Sequence, residues 1–571
     1  MKRNDIFRVM DKEIYENGKK DVRSRKYLFP KRVMWTQGCV EHVEELLKEK
    51  PIQSSLLAER YCVMKNSGTE KTSVLLDFGV ELHGGIYLVS LAEKSKLGTK
   101  VRIRFGESVS EAMSEIGTET NATNDHARRD MVVEIGRMSM TPAGETGFRF
   151  VRLDLEEPDA FLSLKTVCAM FIYKDVPYLG SFSCSDPLLT RIWDVGAYTV
   201  HLNMQEYIWD GIKRDRLVWI GDLHQEARAI YAVFGDDDSV PDSLDFSREG
   251  TEMPGWINGF STYSMWFVLE VFDYYMQTGK KEFLERQSKF LAGTLELLSS
   301  SIGENGRNLA QLGLENRFLD WPSVGKTNVV DAGVQSIHIL AAKALLTIFE
   351  ILGDEKKVKQ CKDDLERLSR FPLNYEDSKQ AAALMVIAGL EDAKKINEHL
   401  LRVGGAKGMS TFMGYYILTA RAMAGDYCGC LDAIREYWGG MLELGATTFW
   451  EDFDLEWMKN AGRIDELPEE GKIDVHASYG GYCYKGHRHS FCHGWAGGVT
   501  PWLSENILGV RVLKPGCKIV EVKPHLGDLE WVKGSYPTPY GVIDVFCEKI
   551  SDGTLKTEVN APEEVKIISG H

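Results

Sequence analysis

Apolar positions along the chain change their period twice, and the changes divide it into three textures. From about residue 31 to 180 they alternate with polar ones: Val101, Ile103 and Phe105 are interleaved with Arg102 and Arg104, and Phe148-Arg149-Phe150-Val151-Arg152-Leu153 repeats the pattern after Gly147. Period two puts every second side chain on one face of a half-buried strand. With residues 74–79 and 84–89 and frequent glycines between the runs, the segment predicts short strands packed as a β-sandwich. Residues 1–30 are charged and poorly periodic, and read as an N-terminal extension or an arm lying on another domain.

At Ser185-Asp186-Pro187 the period becomes helical. An acidic cap followed by proline at the first helical position marks a helix start, and Leu188, Leu189, Ile192 and Trp193 follow at helical spacing. The same spacing recurs at Val334, Ile337, Leu340, Leu345, Ile348, Phe349 and Leu352, with Gly353 as the C-terminal cap. Helical stretches separated by Gly-rich loops continue to about residue 509, too much helix for a simple bundle and suited to a toroid of paired helices. Strands return at 518–522, 529–532, 541–546 and 555–559, punctuated by Pro515-Gly516 and Asp552-Gly553. The expected architecture is multidomain α+β: an extension (1–30), an N-terminal β-sandwich (31–180), a helical domain (181–509) and a small C-terminal β-domain (510–571).

Composition narrows the function. Among 571 residues, 13 Trp and an aromatic content of 10% argue against disorder. The net charge of −16 repels phosphate backbones, which disfavours nucleic acid as a partner. Residues 1–20 carry charge throughout and lack an apolar core, so no signal peptide is expected. No run of 18 uncharged apolar residues occurs, so no membrane span is expected either. The 11 cysteines, odd in number and irregularly spaced, read as reduced thiols of a cytoplasmic protein.

The chemistry is concentrated in three clusters. Residues 209–222, Trp-Asp-Gly-Ile-Lys-Arg-Asp-Arg-Leu-Val-Trp-Ile-Gly-Asp, alternate Asp210, Asp215 and Asp222 with Lys213, Arg214 and Arg216 between Trp209 and Trp219. Such a run suits a charged junction held by ion pairs. It also suits a sugar site, where carboxylates bind hydroxyls and supply acid and base while indole faces stack on the ring. The second cluster is Gly445-Ala446-Thr447-Thr448-Phe449-Trp450-Glu451-Asp452-Phe453-Asp454, and the third is Arg488-His489-Ser490-Phe491-Cys492-His493-Gly494-Trp495. Singly, a Glu after Trp or a His on a helix is more often structural than catalytic. Cys483, His487, His489, Cys492 and His493 lie close together, but their spacing matches no structural zinc pattern, so no metal is expected. Asp236-Asp237-Asp238 with Asp242 lacks a twelve-residue calcium loop and reads as a solvated acidic loop. Cys428-Gly-Cys430 is not a redox Cys-x-x-Cys, and neither a phosphate-cradling loop nor His-Glu-x-x-His occurs, so no cofactor is expected.

Taken together and in this order, the clusters resemble the catalytic segments of the α-L-rhamnosidases, glycoside hydrolase family 78, whose catalytic domain is an (α/α)6 toroid. The resemblance extends over nearly the whole chain. Asp77-Phe78-Gly79, Phe105-Gly106-Glu107 and Gly147-Phe148-Arg149 are similar to the family's N-terminal β-sandwich, residues 182–194 to the entry into its first barrel helix, and residues 510–570 to its closing β-sandwich. By resemblance, Glu451 stands at the general base and Asp215 at the general acid of an exo-acting, inverting, cofactor-free hydrolase. Asp210 and Asp222 match carboxylates that hold sugar hydroxyls, with Arg214 grouped among the substrate-binding residues. Trp219 matches a subsite aromatic, Trp321 of the Asp320-Trp321 pair packs on the rhamnose methyl face, and His493 contacts the sugar near the base. The family usually has Glu where this chain has Asp215, which shortens the acid by one methylene. The expected substrates are small rhamnosylated glycosides or oligosaccharides; a homo-oligomer is compatible with this reading. A toroid glycosidase for another sugar or uronide, or a non-catalytic carbohydrate-binding relative, are the alternatives.

Overall fold

A computed structural model describes residues 10–56, 60–68, 70–91, 98–117, 119–551 and 553–569. After a short helix α1 (Lys12–Glu16), capped by the Asp11 carboxylate, nine antiparallel strands form one sheet: β1 (Ser24–Leu28), β2 (Arg32–Gln37), β3 (Cys39–Glu41), β4 (Cys62–Lys65), β5 (Ser73–Ser90), β6 (Thr99–Gly106), β7 (Asp130–Ile135), β8 (Met140–Leu155) and β9 (Phe161–Tyr173). The order β3-β4-β9-β5-β8-β6-β7, with β1 on β9 and β2 on β5, wraps the sheet over one core that includes Met64, Leu76, Ile86, Ile103, Phe148 and Leu164. This is the sandwich expected from the alternating pattern, with two corrections. The strands are long, with 18 residues in β5 and 16 in β8, because the glycines bend them rather than end them. The β5–β8 register shifts between Asp77 and Leu82 and again between Gly84 and Ile86, and Gly79 and Gly84 adopt positive φ at those breaks. The sheet also begins inside the segment expected as an extension, since β1 pairs along β9 from Ser24↔Tyr173 to Leu28↔Ala169. Its middle residues are exposed Arg25, Lys26 and Tyr27, which hides the strand from a periodicity reading. Residues 1–9 of that segment lie outside the described residues.

The helices alternate between an outer and an inner ring. After α2 (Val109–Met113), which belongs to the β-domain, come α3 (Pro187–Asn203), α4 (Ile220–Val233), α5 (Ser239–Glu249), α6 (Ser261–Thr278), α7 (Lys281–Ser300), α8 (Thr327–Leu352), α9 (Glu355–Leu368), α10 (Lys379–Ala388), α11 (Ala393–Ile396), α12 (Gly414–Met423) and α13 (Tyr427–Glu443). Helix α4 packs on α6, α6 on α8, α8 on α10 and α10 on α12; the 494–507 segment packs on both α12 and α4 and closes the ring. The physical sorting is legible in the helices themselves. Inner α6 is buried almost all round, whereas outer α9 buries only Cys361, Asp364 and Leu368. Asp186 caps α3 through Leu188 N, and Gly353 ends α8 in a left-handed conformation. Helix α8 is long and apolar enough by composition to cross a membrane; most of it is buried inside the toroid.

The C-terminal strands are β11 (Val510–Lys514), β12 (Ile519–Val522), β13 (Trp531–Thr538), β14 (Gly541–Lys549), β15 (Leu555–Asn560) and β16 (Lys566–Ser569). They form the sheets β11-β12-β16 and β10-β13-β14-β15, the latter completed by β10 (Ser181–Cys184) from the opening of the helical segment. Asp552 of the expected turn and Gly570 lie outside the described residues.

Candidate active site

Because every inner helix is followed by an outer return, α4, α6 and α8 enter the ring from the same mouth. Residues at or near their N-terminal ends, Trp219, Asp222, Phe260, Tyr263 and Val330, line a cavity of about 720 Å³ there. Segment 209–218 enters from one side, the loop 314–325 from another, and Glu451, Cys483, His493 and Trp495 close it. All eight residues singled out by sequence, Asp210, Arg214, Asp215, Trp219, Asp222, Trp321, Glu451 and His493, line this one cavity.

The 209–218 segment is irregular but pinned. Leu217 N donates to Asp210 Oδ1 at 2.9 Å, Asp210 N donates to Leu217 O, and Gly211 bridges to His493. Arg216 takes a φ of +61°. The four consecutive charged residues therefore face two ways. Arg214 and Asp215 line the cavity, while Lys213 and Arg216 turn to the β-domain, Arg216 over the Trp209 ring and onto Glu145 O. Trp209, part of the same cluster, packs edge-on against His83 of β5 and does not line the cavity. Gly147 permits the close approach: a Cβ there would lie 2.8 Å from Ile212 Cγ1 and 3.0 Å from Lys213 N.

Arg214 is the centre of the charge arrangement. Its Nη2 donates to both Glu451 oxygens at 2.5 and 2.6 Å, its Nη1 to Asp215 Oδ1 at 3.2 Å, and its Nε to Arg488 O. Glu451 also accepts from Ser490 N at 3.2 Å, and its carbonyl from the Trp495 indole at 2.8 Å. Trp219 Nε1 donates to Asp215 Oδ2 at 3.3 Å, and His126 Nε2 of the β-domain lies 3.4 Å from Asp215 Oδ1. Deeper in, His493 sits 3.7 Å from Asp210, 3.7 Å from Asp222 and 3.8 Å from Glu451. Burial pushes Asp210 and Asp222 well above the usual carboxylate range, reinforced at Asp210 by Asp215 and at Asp222 by Asp210. Burial, with Arg214 beside it, holds His493 well below the usual imidazole range and thus neutral. Asp222 Oδ1 and His493 Nδ1, 3.7 Å apart, are buried without a hydrogen-bond partner. A knot of buried donors and acceptors with open valences is suited to hydroxyl groups. Gly494 beside His493 leaves room for Glu226, whose carboxylate a Cβ there would strike.

Behind the cavity the β-domain holds this segment. Lys213 Nζ meets Glu107 Oε2 at 2.9 Å and Glu111 Oε1 at 3.3 Å, and donates to His487 O and His489 O at 3.0 and 2.6 Å. Glu107 in turn accepts from Phe491 N at 2.6 Å. Glu107, Glu111 and His476 are, among the described residues, close enough together to hold a metal, but the Lys213 ammonium already sits on both carboxylates. Of the five Cys and His residues considered as zinc ligands, Cys483 and His493 line the cavity and the other three take separate partners. His487 meets Ser110 and Ser114, His489 accepts from Asp452 N, Cys492 meets Thr199 O, and His493 faces the cavity. In the acidic run Asp236, Asp238 and Asp242 are exposed as expected, whereas Asp237 is buried and paired with Lys174 at 2.5 Å; Asp236 also pairs with Lys280 at 2.6 Å. Phe260, Tyr263, His126 and the 314–325 loop were not found from sequence, because nothing in their local spacing sets them apart from core or surface residues.

A ring of six helical hairpins with a carboxylate-rich, aromatic-walled cavity at one mouth is a six-hairpin toroid. Residues 177–380 match the bacterial alpha-L-rhamnosidase 6 hairpin glycosidase domain and residues 509–568 the bacterial alpha-L-rhamnosidase C-terminal domain. In these two segments the chain is similar to bacterial α-L-rhamnosidases. An alpha-L-rhamnosidase of Alteromonas sp. (strain LOR) is 23% identical over 537 residues, covering 85% of this chain and 54% of its own length. The GH78 rhamnosidase of Bacillus sp. GL1 shares the fold at a TM-score of 0.73 and 21% identity, over 92% of this chain and 55% of that one. A Klebsiella oxytoca rhamnosidase, solved with rhamnose bound, superposes at 0.64 and 18% identity over 85% of this chain and 96% of that one. The chain thus spans about half the length of the Alteromonas and Bacillus relatives.

Proposed function

We propose that this chain is an exo-acting α-L-rhamnosidase that releases terminal α-L-rhamnose from small glycosides or oligosaccharides with inversion. The observation that carries the reading is Arg214, one guanidinium holding Asp215 and Glu451 at the same cavity. A bridge of that width suits the roughly 6.5–9.5 Å separation that inverting glycosidases need to admit a water between their carboxyls. In this mechanism Asp215 protonates the glycosidic oxygen as the bond to the anomeric carbon breaks. Glu451, oriented by Arg214 and Ser490 N, takes a proton from the water that attacks the opposite face. Asp210, Asp222 and His493 bind ring hydroxyls, and Trp321, Phe260 and Val330 offer an apolar wall suited to a 6-deoxy methyl group. The shorter acid is compensated by its setting, since Trp219 and His126 hold Asp215 at the mouth of the cavity. All 11 cysteines are free, which supports a reducing, cytoplasmic location.

The test is hydrolysis of para-nitrophenyl α-L-rhamnopyranoside beside a panel of other para-nitrophenyl glycosides, followed by NMR of the first product. Rhamnoside turnover giving β-L-rhamnose first, and lost in Glu451→Gln, is the expected result. An initial α-product overturns inversion, and turnover of another sugar alone moves the substrate.

A further inference from the structure

The toroid has a second mouth, and it is not filled. Along α4 the chain passes from Asp222 in the first cavity to Arg228 and Tyr231 in a second; along α6 from Tyr263 to Trp266 and Asp273; along α8 from Val330 to Leu340. The two cavities therefore lie at opposite ends of the ring axis, with buried Glu226 and Glu270 between them on α4 and α6. The rear cavity measures about 480 Å³, within the roughly 300–1,000 Å³ of small-molecule sites. Its rim is completed by Val510–Val512 and Tyr536 of the C-terminal β-domain, so it lies at a domain boundary, where such sites concentrate.

We propose that this rear cavity is a second ligand site, built for an uncharged polyhydroxylated molecule of monosaccharide size. Its polar centre is a preformed network. Arg228 pairs with Asp273 at 2.6 Å and with Glu505 at 3.0 Å, and donates to Tyr415 OH at 3.1 Å. Tyr415 OH donates to the other Glu505 oxygen at 2.7 Å, and His224 joins Asp273 at 3.3 Å and Tyr416 OH at 2.7 Å. Charged side chains inside a helical ring are costly, and apolar residues of similar volume would close the ring as well or better. Here the charged groups stay reachable, with side-chain exposures of 27% for Arg228, 19% for Asp273 and 18% for Glu505.

The charge balance sets the ligand class. Arg228 and Arg511 offset Asp273 and Glu505, and burial keeps His224 neutral, so neither an anion nor a cation finds excess charge. Aromatic walls (Trp266, Phe272, Tyr416) beside this network offer apolar surface to C–H faces and polar groups to hydroxyls. The front cavity uses the same combination. The rear site draws on none of its residues and does not depend on the glycosidase reading.

The full chain tests this, with L-rhamnose, D-glucose and D-galactose as separate probes in crystal soaks and in calorimetric titration. The expected result is one sugar ordered against Arg228 and Asp273, with a rear binding event that Thr419→Trp removes. Thr419 lies on the cavity wall and far from Glu451, so this variant should turn over para-nitrophenyl α-L-rhamnoside within about twofold of the parent. Should it fail to fold, Leu340→Trp fills the cavity from the facing wall, and the soaked parent crystals decide independently. Only water in the rear cavity with all three sugars, or titrations unchanged by both filling variants, overturns the proposal. Rear occupancy without rhamnoside turnover would sink the rhamnosidase reading and leave this one standing.

Discussion

Asp215 and Glu451 are 236 positions apart in sequence and meet at one side chain, Arg214, which presents separate nitrogens to each. That fork is a property of guanidinium; an ammonium is a point charge on a flexible stem. Arg214→Lys should therefore lower kcat/KM on para-nitrophenyl α-L-rhamnoside by about a hundredfold through misplaced carboxyls, checked by steady-state kinetics against the parent. Asp452, next to Glu451, behaves differently. Burial, with Glu451 beside it, pushes its carboxyl from 3.8 up to about 7. The folded state then holds a proton that the unfolded chain releases at lower pH. Stability from this group is full below about pH 4 and is lost as pH rises through about 7. Asp452→Asn should flatten that fall, an effect on the order of 2–4 kcal/mol, in urea titrations run from pH 5 to 8.

Lys213 shows how a single element is held from outside. Nearly buried, it is enclosed by Glu107 and Glu111 of the β-domain and by two carbonyls of the 487–489 turn. Lys213→Met leaves both carboxylates buried without their partner, which should cost about 3–5 kcal/mol in urea unfolding. The same change releases the segment carrying Arg214 and Asp215, so activity should fall together with stability. Gly147→Ala tests the contact from the other side. Its methyl would press on Ile212 and Lys213, and the expected sign is a lower kcat with a smaller loss of stability than Lys213→Met, read by kinetics and thermal melts. The two predictions follow from the packing of α2 and of β8 against the 209–218 segment, relations between elements that no element reveals alone.

Across the whole molecule the β-domain is a brace for the toroid. Arg149 pairs with Asp77 at 2.9 Å and donates to Gly445 O at 3.1 Å, and Glu81 N donates to Thr447 Oγ1, both on the loop leading to Glu451, while Arg32 reaches Asp465 O. Arg149→Met should loosen this seam, separating the unfolding of the two domains and lowering turnover, checked by comparing circular dichroism and tryptophan fluorescence during urea unfolding.

The element types were legible in the chain because burial imposes a local period: two at Val101–Phe105, three to four along α8, with caps at Asp186 and Gly353. The eight cavity residues were legible too, since carboxylates, an arginine and indoles cluster in short segments that resemble known catalytic ones. The strand lengths were not legible, because a glycine that bends a strand and one that ends it look alike in sequence, and strand β1 inside the N-terminal extension was hidden by its exposed middle residues. Which neighbours face the cavity could not be read from any local pattern. Arg214 and Asp215 turn inward while Lys213 and Arg216 turn away because β8, the 487–493 segment and the Arg216 backbone meet at one loop. Ring closure by residues 494–507, the pairing of β10 with β13 and the open rear mouth were decided in the same way. Local sequence determines which side chains must be buried; contacts between elements hundreds of residues apart determine what they are buried against.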